Sequence, residues 1–167
     1  MINEVQALFP NLYRVLDEYG NAFIKHYRDI LDDEEINATR NLWRSIRFEP
    51  VIEDRTVSIN IYLPGYSEYI ENGTGPGHIP DKREKFWPPI SAIKEWANSK
   101  HSVPKDESFP YAVQGKIHNE GTEAKQVFKR TIEYMESNPE WKERIDTALE
   151  EDIGEVIYKY IIGSLNL

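Results

Sequence analysis

The chain contains no cysteine, which excludes disulfides, thiolate nucleophiles and cysteine-ligated zinc. It also lacks any apolar run near the roughly 18 residues that a membrane-spanning helix requires. Its first residues, Met1-Ile2-Asn3-Glu4, supply neither the basic start nor the apolar stretch of a secretory signal, so export is not expected. Basic charge is in deficit as well. Against 29 Asp and Glu stand 20 Lys and Arg, a net charge of −9. A protein that binds nucleic acid through its phosphates needs the opposite balance. The local cluster Lys82-Arg83-Glu84-Lys85 reads as a solvated loop. What remains is globular: 40% hydrophobic and 29% charged residues in a chain of 167, room for a single domain with a true core.

Hydrophobic spacing predicts an α+β fold. Leu12, Val15, Leu16, Tyr19, Phe23, Tyr27, Ile30 and Leu31 recur at helical intervals, marking a long amphipathic helix over 11–33. Gly20 weakens its middle by about 1 kcal/mol relative to alanine. After the acidic break 32–35, a second helix is expected over 35–46. The period then becomes two. Phe48, Val51 and Ile52, a turn at 53–55, and Val57, Ile59 and Ile61 alternating with polar neighbours predict a β-hairpin over 48–63. Pro64-Gly65 ends it. A short helix at 66–72, a Gly/Pro-rich loop at 73–88 and a helix from Pro89 to about Lys100 follow. After a loop at 101–108, residues 109–119 suit helix or strand, helix being preferred. Further helices are expected over 123–136 and from Asn138-Pro139, with asparagine as N-cap, proline at the first position and Gly163 as C-terminal cap.

Chemistry-bearing motifs are sparse. Gly73-Thr-Gly-Pro-Gly77 resembles a phosphate loop only in composition. It follows a helix, Pro76 removes a backbone donor, and no Gly-Lys-Ser/Thr is present. His26, His78, His101 and His118 form neither His-x-x-x-His nor His-Glu-x-x-His. His78 with Asp81, and with His101, could meet at a metal, and a small metal-dependent hydrolase would use His78, Asp81 and a carboxylate; solvent-facing loop histidines are the simpler reading. Glu68 and Glu71, three residues apart, could share a helical face, and read as a solvated one. No serine sits in a Gly-x-Ser-x-Gly elbow. No catalytic, cofactor-binding or metal-binding residue is therefore assigned, and no cofactor is expected. Aromatics are plentiful, with four Trp and ten Tyr. Such side chains anchor interfaces because they bury much area at little conformational cost.

One ordered series goes further. Asn60-Ile-Tyr-Leu-Pro-Gly65 leads into Tyr66-Ser-Glu-Tyr-Ile-Glu-Asn-Gly-Thr74. A Gly/Pro loop then precedes Pro89-Ile-Ser-Ala-Ile-Lys-Glu-Trp-Ala97. Later comes Tyr111-Ala-Val-Gln-Gly-Lys-Ile-His-Asn-Glu-Gly-Thr122. Over residues 40–130 the series resembles the tail-completion and head–tail joining (neck) proteins of long-tailed bacteriophages. Thr122-Glu-Ala-Lys-Gln-Val lacks the proline usual in that family after the second Gly-Thr, and the helix from Pro139 is an addition. The resemblance implies a small twisted antiparallel sheet packed with a long N-terminal helix and further helices. It also implies a virion protein of tail or neck, assembled in the host cytoplasm into a homo-oligomeric ring, sixfold or twelvefold. Such a ring contacts other neck and tail proteins and passes DNA through its channel without sequence-specific binding. No membrane and no catalysis are implied; a tail terminator or a transient tail-assembly chaperone is the alternative role. The interface candidates are Tyr66, Tyr69, Gly73, Thr74, Gly75, Gly77, Phe86 and Trp87.

Overall fold

In the computed structural model, which describes residues 7–36, 40–53, 56–75, 87–99, 103–104 and 106–165, seven helices accompany one two-stranded antiparallel sheet. The class is α+β, as expected. The elements in chain order are α1 (Pro10–Asp33), α2 (Asn41–Ser45), β1 (Arg47–Glu53), β2 (Thr56–Tyr62), α3 (Ser67–Asn72), α4 (Ile90–Ser99), α5 (Phe109–Glu120), α6 (Val127–Glu136) and α7 (Pro139–Leu165). The chain divides into two compact units. One comprises Met1–Tyr27, Ile46–Tyr62 and Arg130–Leu167, the other Arg28–Ser45 and Leu63–Lys129.

The first unit is built on the apolar stripe of α1. Leu12, Val15 and Leu16 are buried with Ile52 of β1 and Ala148 of α7, flanked by Phe9, Tyr13, Ile59, Ile145 and Leu149. Full burial of each large aliphatic side chain is worth about 1.5–3 kcal/mol. The hairpin pairs Phe48 with Ile61, Pro50 with Ile59 and Ile52 with Val57, so the residues that alternate in sequence share one face. Pro50 is tolerated because a two-stranded sheet consists of edge strands. Gly20 has a packing reason for being in a helix: the Phe48 ring lies where its Cβ would be, 2.2 Å from the ideal position. Tyr19 meets Trp141 edge-on, ring centroids 5.3 Å apart.

The start of α1 is satisfied from far along the chain. Asp152, buried completely, accepts hydrogen bonds from the Leu12 N–H at 2.8 Å, the Asn11 N–H at 3.2 Å and the Asn11 side-chain amide at 2.9 Å. A carboxylate there meets both the orphan N–H groups and the positive end of the helix dipole. Glu18 of α1 also pairs with Arg144 of α7. At the start of α7, the Asn138 side-chain oxygen accepts the Glu140 N–H at 3.0 Å, the expected N-cap. Gly163 is not the expected C-terminal cap, since α7 continues to Leu165. A cap glycine turns to positive φ, and among the described residues the glycines that do so are Gly73 and Gly121.

In the second unit, α1 closes with Ile36 N–H donating to the Leu31 carbonyl and Glu35 at φ 50°. The helix expected over 35–46 is only α2; Arg40 at φ 56° interrupts helical geometry just before it. Residues 37–39 lie outside the described set. Arg28 Nε donates to the Trp43 carbonyl at 2.9 Å while its guanidinium sits 4.1 Å from the centre of the Trp43 ring, a cation–π arrangement. The ambiguous segment 109–119 is helical, as preferred: α5 carries Pro110 in its first turn. The helix expected from residue 123 begins only at Val127, because residues 122–126 bond elsewhere, as described next.

Candidate functional site: a double Gly-Thr clasp bordered by exposed aromatics

From Leu63 to Thr122 the series singled out in the sequence belongs to the second unit. Helix α3 ends at Gly73 (φ 67°, ψ −173°) and α5 at Gly121 (φ 78°, ψ −164°). Both conformations fall in a region open essentially to glycine alone. The two helix ends meet. Thr74 N–H donates to the Thr122 carbonyl at 3.0 Å, and Thr122 N–H donates back to the Thr74 carbonyl at 2.9 Å, an isolated antiparallel bridge. The two hydroxyls lie 3.0 Å apart, within hydrogen-bonding distance. The approach leaves no room for a side chain on either glycine. A Cβ on Gly73 would stand 2.4 Å from the Thr122 carbonyl oxygen, and one on Gly121 would stand 1.8 Å from that of Thr74.

The clasp continues along the chain after Thr122. Lys125 N–H donates to the Ile70 carbonyl at 2.9 Å and Gln126 N–H to the Glu71 carbonyl at 3.2 Å. Gln126, at φ 49°, then turns the chain into α6. The Glu71 carboxylate accepts the N–H groups of Phe128 at 2.8 Å and Lys129 at 3.1 Å. Glu71 is therefore a remote cap of α6, which corrects its reading as part of a solvated face. The Lys125 ammonium lies 3.2 Å from the Glu34 carboxylate and 3.4 Å from that of Glu123. Glu34 first, then Glu123, raises its pKa above the ordinary 10.5.

Trp87 stacks on His118 of α5, ring centroids 3.9 Å apart and planes 8° from parallel. Gln114 fixes the same stretch by donating to the Pro88 carbonyl at 2.7 Å. Trp87 nonetheless keeps 53% of its surface exposed, whereas His118 is buried. Trp96 stacks with Phe109, ring centroids 6.3 Å apart. Tyr66, at the N-cap of α3, and Tyr69 within it are each close to half exposed, as is Tyr111 of α5. The Tyr111 hydroxyl lies 3.3 Å from Lys94 Nζ, at the edge of a cleft of about 310 Å³ between α4 and α5.

Of the interface candidates, Gly73 and Thr74 are thus occupied within the chain, while Tyr66, Tyr69 and Trp87 present apolar surface. Gly75 is exposed. Gly77 and Phe86 lie outside the described residues, as do His78, Asp81 and His101. Sequence reasoning read Glu71 and His118 as solvent-facing and left Tyr111 without a role. All three stand in the motif series, which was the signal that could have found them. Among the described residues no group of three or more His, Asp or Glu is placed to hold a metal ion, and no helix is long and apolar enough to cross a membrane. No family model, curated protein or solved structure matches the chain.

Proposed function

We propose that the chain is a structural subunit of a long-tailed bacteriophage particle, a tail-completion or head–tail connector protein. It works by packing against further copies of itself and against other neck or tail proteins. The observation that carries this reading is how the motif divides. Gly73, Gly121, Thr74, Thr122 and Glu71 are used up inside the clasp, while the nearby aromatics Tyr66, Tyr69, Trp87 and Tyr111 are left open to solvent. Rigid backbone beneath half-exposed aromatic side chains is what an interface needs, since tyrosine and tryptophan are the favoured anchors of binding surfaces. The net charge of −9 suits a wall past which DNA slides, because like charge keeps the phosphates from adhering.

Reconstruction of purified particles tests the proposal. The expected result is a closed ring of this chain at the head–tail junction or tail end. A chain required for assembly yet absent from finished particles would make it a transient chaperone. A chain with no part in the particle or its assembly overturns the reading.

A further inference from the structure

Helix α7 changes character at Asp152. In its first half, Trp141, Ile145, Ala148 and Leu149, with Asp152, occupy an arc of about 100° when residues are spaced at about 100° round the axis. That is the side turned to the first unit, where Ala148 and Asp152 are buried. From Ile153 on the arc widens. Ile153, Val156, Ile157, Tyr160 and Ile161 cover one broad face, and Tyr158 and Ile162 extend it round the back. Together they take up roughly 240° of the circumference on the same spacing. Glu155 and Lys159 are the charged residues of this stretch. They fall on or beside the side that the first half buries, and they pair with each other at 3.2 Å.

All seven large apolar residues of this stretch are exposed, Tyr160 by 78%, Tyr158 by 65% and Ile157 by 53%. With an aromatic side chain presenting about 150–250 Å², their open surface comes to on the order of 700 Å² per chain. That is close to the ~800 Å² each partner gives to a standard interface. A patch of this size on one helix marks a contact site. The width of the arc defines the contact further. A two-helix seam uses a narrow stripe and would leave half of this arc in water. Covering it takes a neighbour on either flank, and a closed cyclic assembly of identical chains supplies two neighbours to every copy. Gly154 fits close approach of a neighbouring helix: a Cβ there would meet nothing within 4 Å in its own chain.

We infer that residues 153–162 are a self-association element, each copy packing between those of two neighbouring copies, with the Glu155–Lys159 pair left facing water. The inference rests on the proposed function only in taking a second copy of this chain as the partner. The test is sedimentation velocity and native mass spectrometry of the full chain at about 50 µM, above the micromolar end of the range for interfaces of this size. The native chain is expected to form a trimer or larger closed oligomer. The double variant Ile157→Glu/Ile161→Glu should be monomeric, its dissociation constant raised at least ~30-fold, with the helicity of a folded chain retained because both side chains are exposed within a single copy. If the charged variant unfolds, Ile157→Ser/Ile161→Ser serves instead.

A native chain that stays monomeric overturns the inference, as does an oligomer that survives both substitutions. In the second case self-association uses another surface and the ring reading stands. Binding of a monomeric chain to phosphatidylcholine vesicles, lost in the double variant, would give the face to a lipid surface and likewise overturn it.

Discussion

Replacing Asp152 with alanine is the sharpest probe of how the first unit is held together. Its carboxylate receives three hydrogen bonds at the start of α1, two of them from backbone N–H groups. Leu12, which supplies one of these, is buried with Asp152 itself. Water therefore has poor access to the donors left behind. Bonds to a charged acceptor are worth about 1.5–3 kcal/mol each, and a buried donor without a partner costs about 1–3 kcal/mol. Loss of a helix N-cap alone costs about 0.5–2 kcal/mol. These contributions overlap, and the expected total is about 3 kcal/mol. At about 2–4 °C per kcal/mol for a chain of this size, the melting temperature should fall by about 6–12 °C. Asp152→Asn keeps one acceptor and turns an amide donor toward other donors, so it should cost less than the alanine variant but more than about 1 kcal/mol. Asn11→Ala removes one of the three bonds, and its effect should shrink by at least ~0.5 kcal/mol in an Asp152→Ala background. Urea titration and thermal melts of the native chain and these four variants measure all of this. An Asp152→Ala chain within about 0.5 kcal/mol of the native one, the range of an ordinary surface change, would refute the argument that this carboxylate caps α1.

Gly121→Ala places a Cβ against the Thr74 carbonyl in a glycine-only conformation and should cost at least ~3 kcal/mol from strain and loss of the clasp. Gly115→Ala on the same helix, with open space at its Cβ, should be neutral or stabilising by up to ~1 kcal/mol; equal effects in thermal melts would count against the clasp. Gly20→Ala should destabilise by about 1–2 kcal/mol despite better helix propensity, because the Phe48 ring must move. In a Phe48→Ala background the same change should stabilise, and a cycle without coupling would refute the close approach. Glu18 has its pKa lowered below the ordinary 4.5, first by its hydrogen bond to Arg144 and then by that to Arg14. Its stabilising contribution is thus complete above pH 4.5 and is lost as pH falls below that value through the folded-state pKa. The difference in melting temperature between the native chain and Glu18→Gln should shrink over that window; a difference that stays constant would show the pairing to be idle.

The sequence by itself determined the elements whose signal is local. The stripe from Leu12 to Leu31 specified α1, the alternation about Val57, Ile59 and Ile61 specified the hairpin, and Asn138-Pro139 specified the start of α7. Each is a pattern of near neighbours, and near neighbours are what a helical or pleated repeat relates. Tertiary structure alone decided which polar groups matter. Among 29 acidic residues, Glu71 and Asp152 cap helices because the fold brings them to N–H groups 57 and 140 positions away in the chain. Likewise two Gly-Thr pairs 48 residues apart become one clasp. The same limit applies to α7. Trp141, Ile145, Leu149, Ile153, Val156, Ile157, Tyr160 and Ile161 recur at helical spacing along it, yet the first three are partly buried and the rest are exposed. Periodicity records which side of a helix is apolar; what covers that side depends on surfaces from elsewhere, in this chain or in another copy.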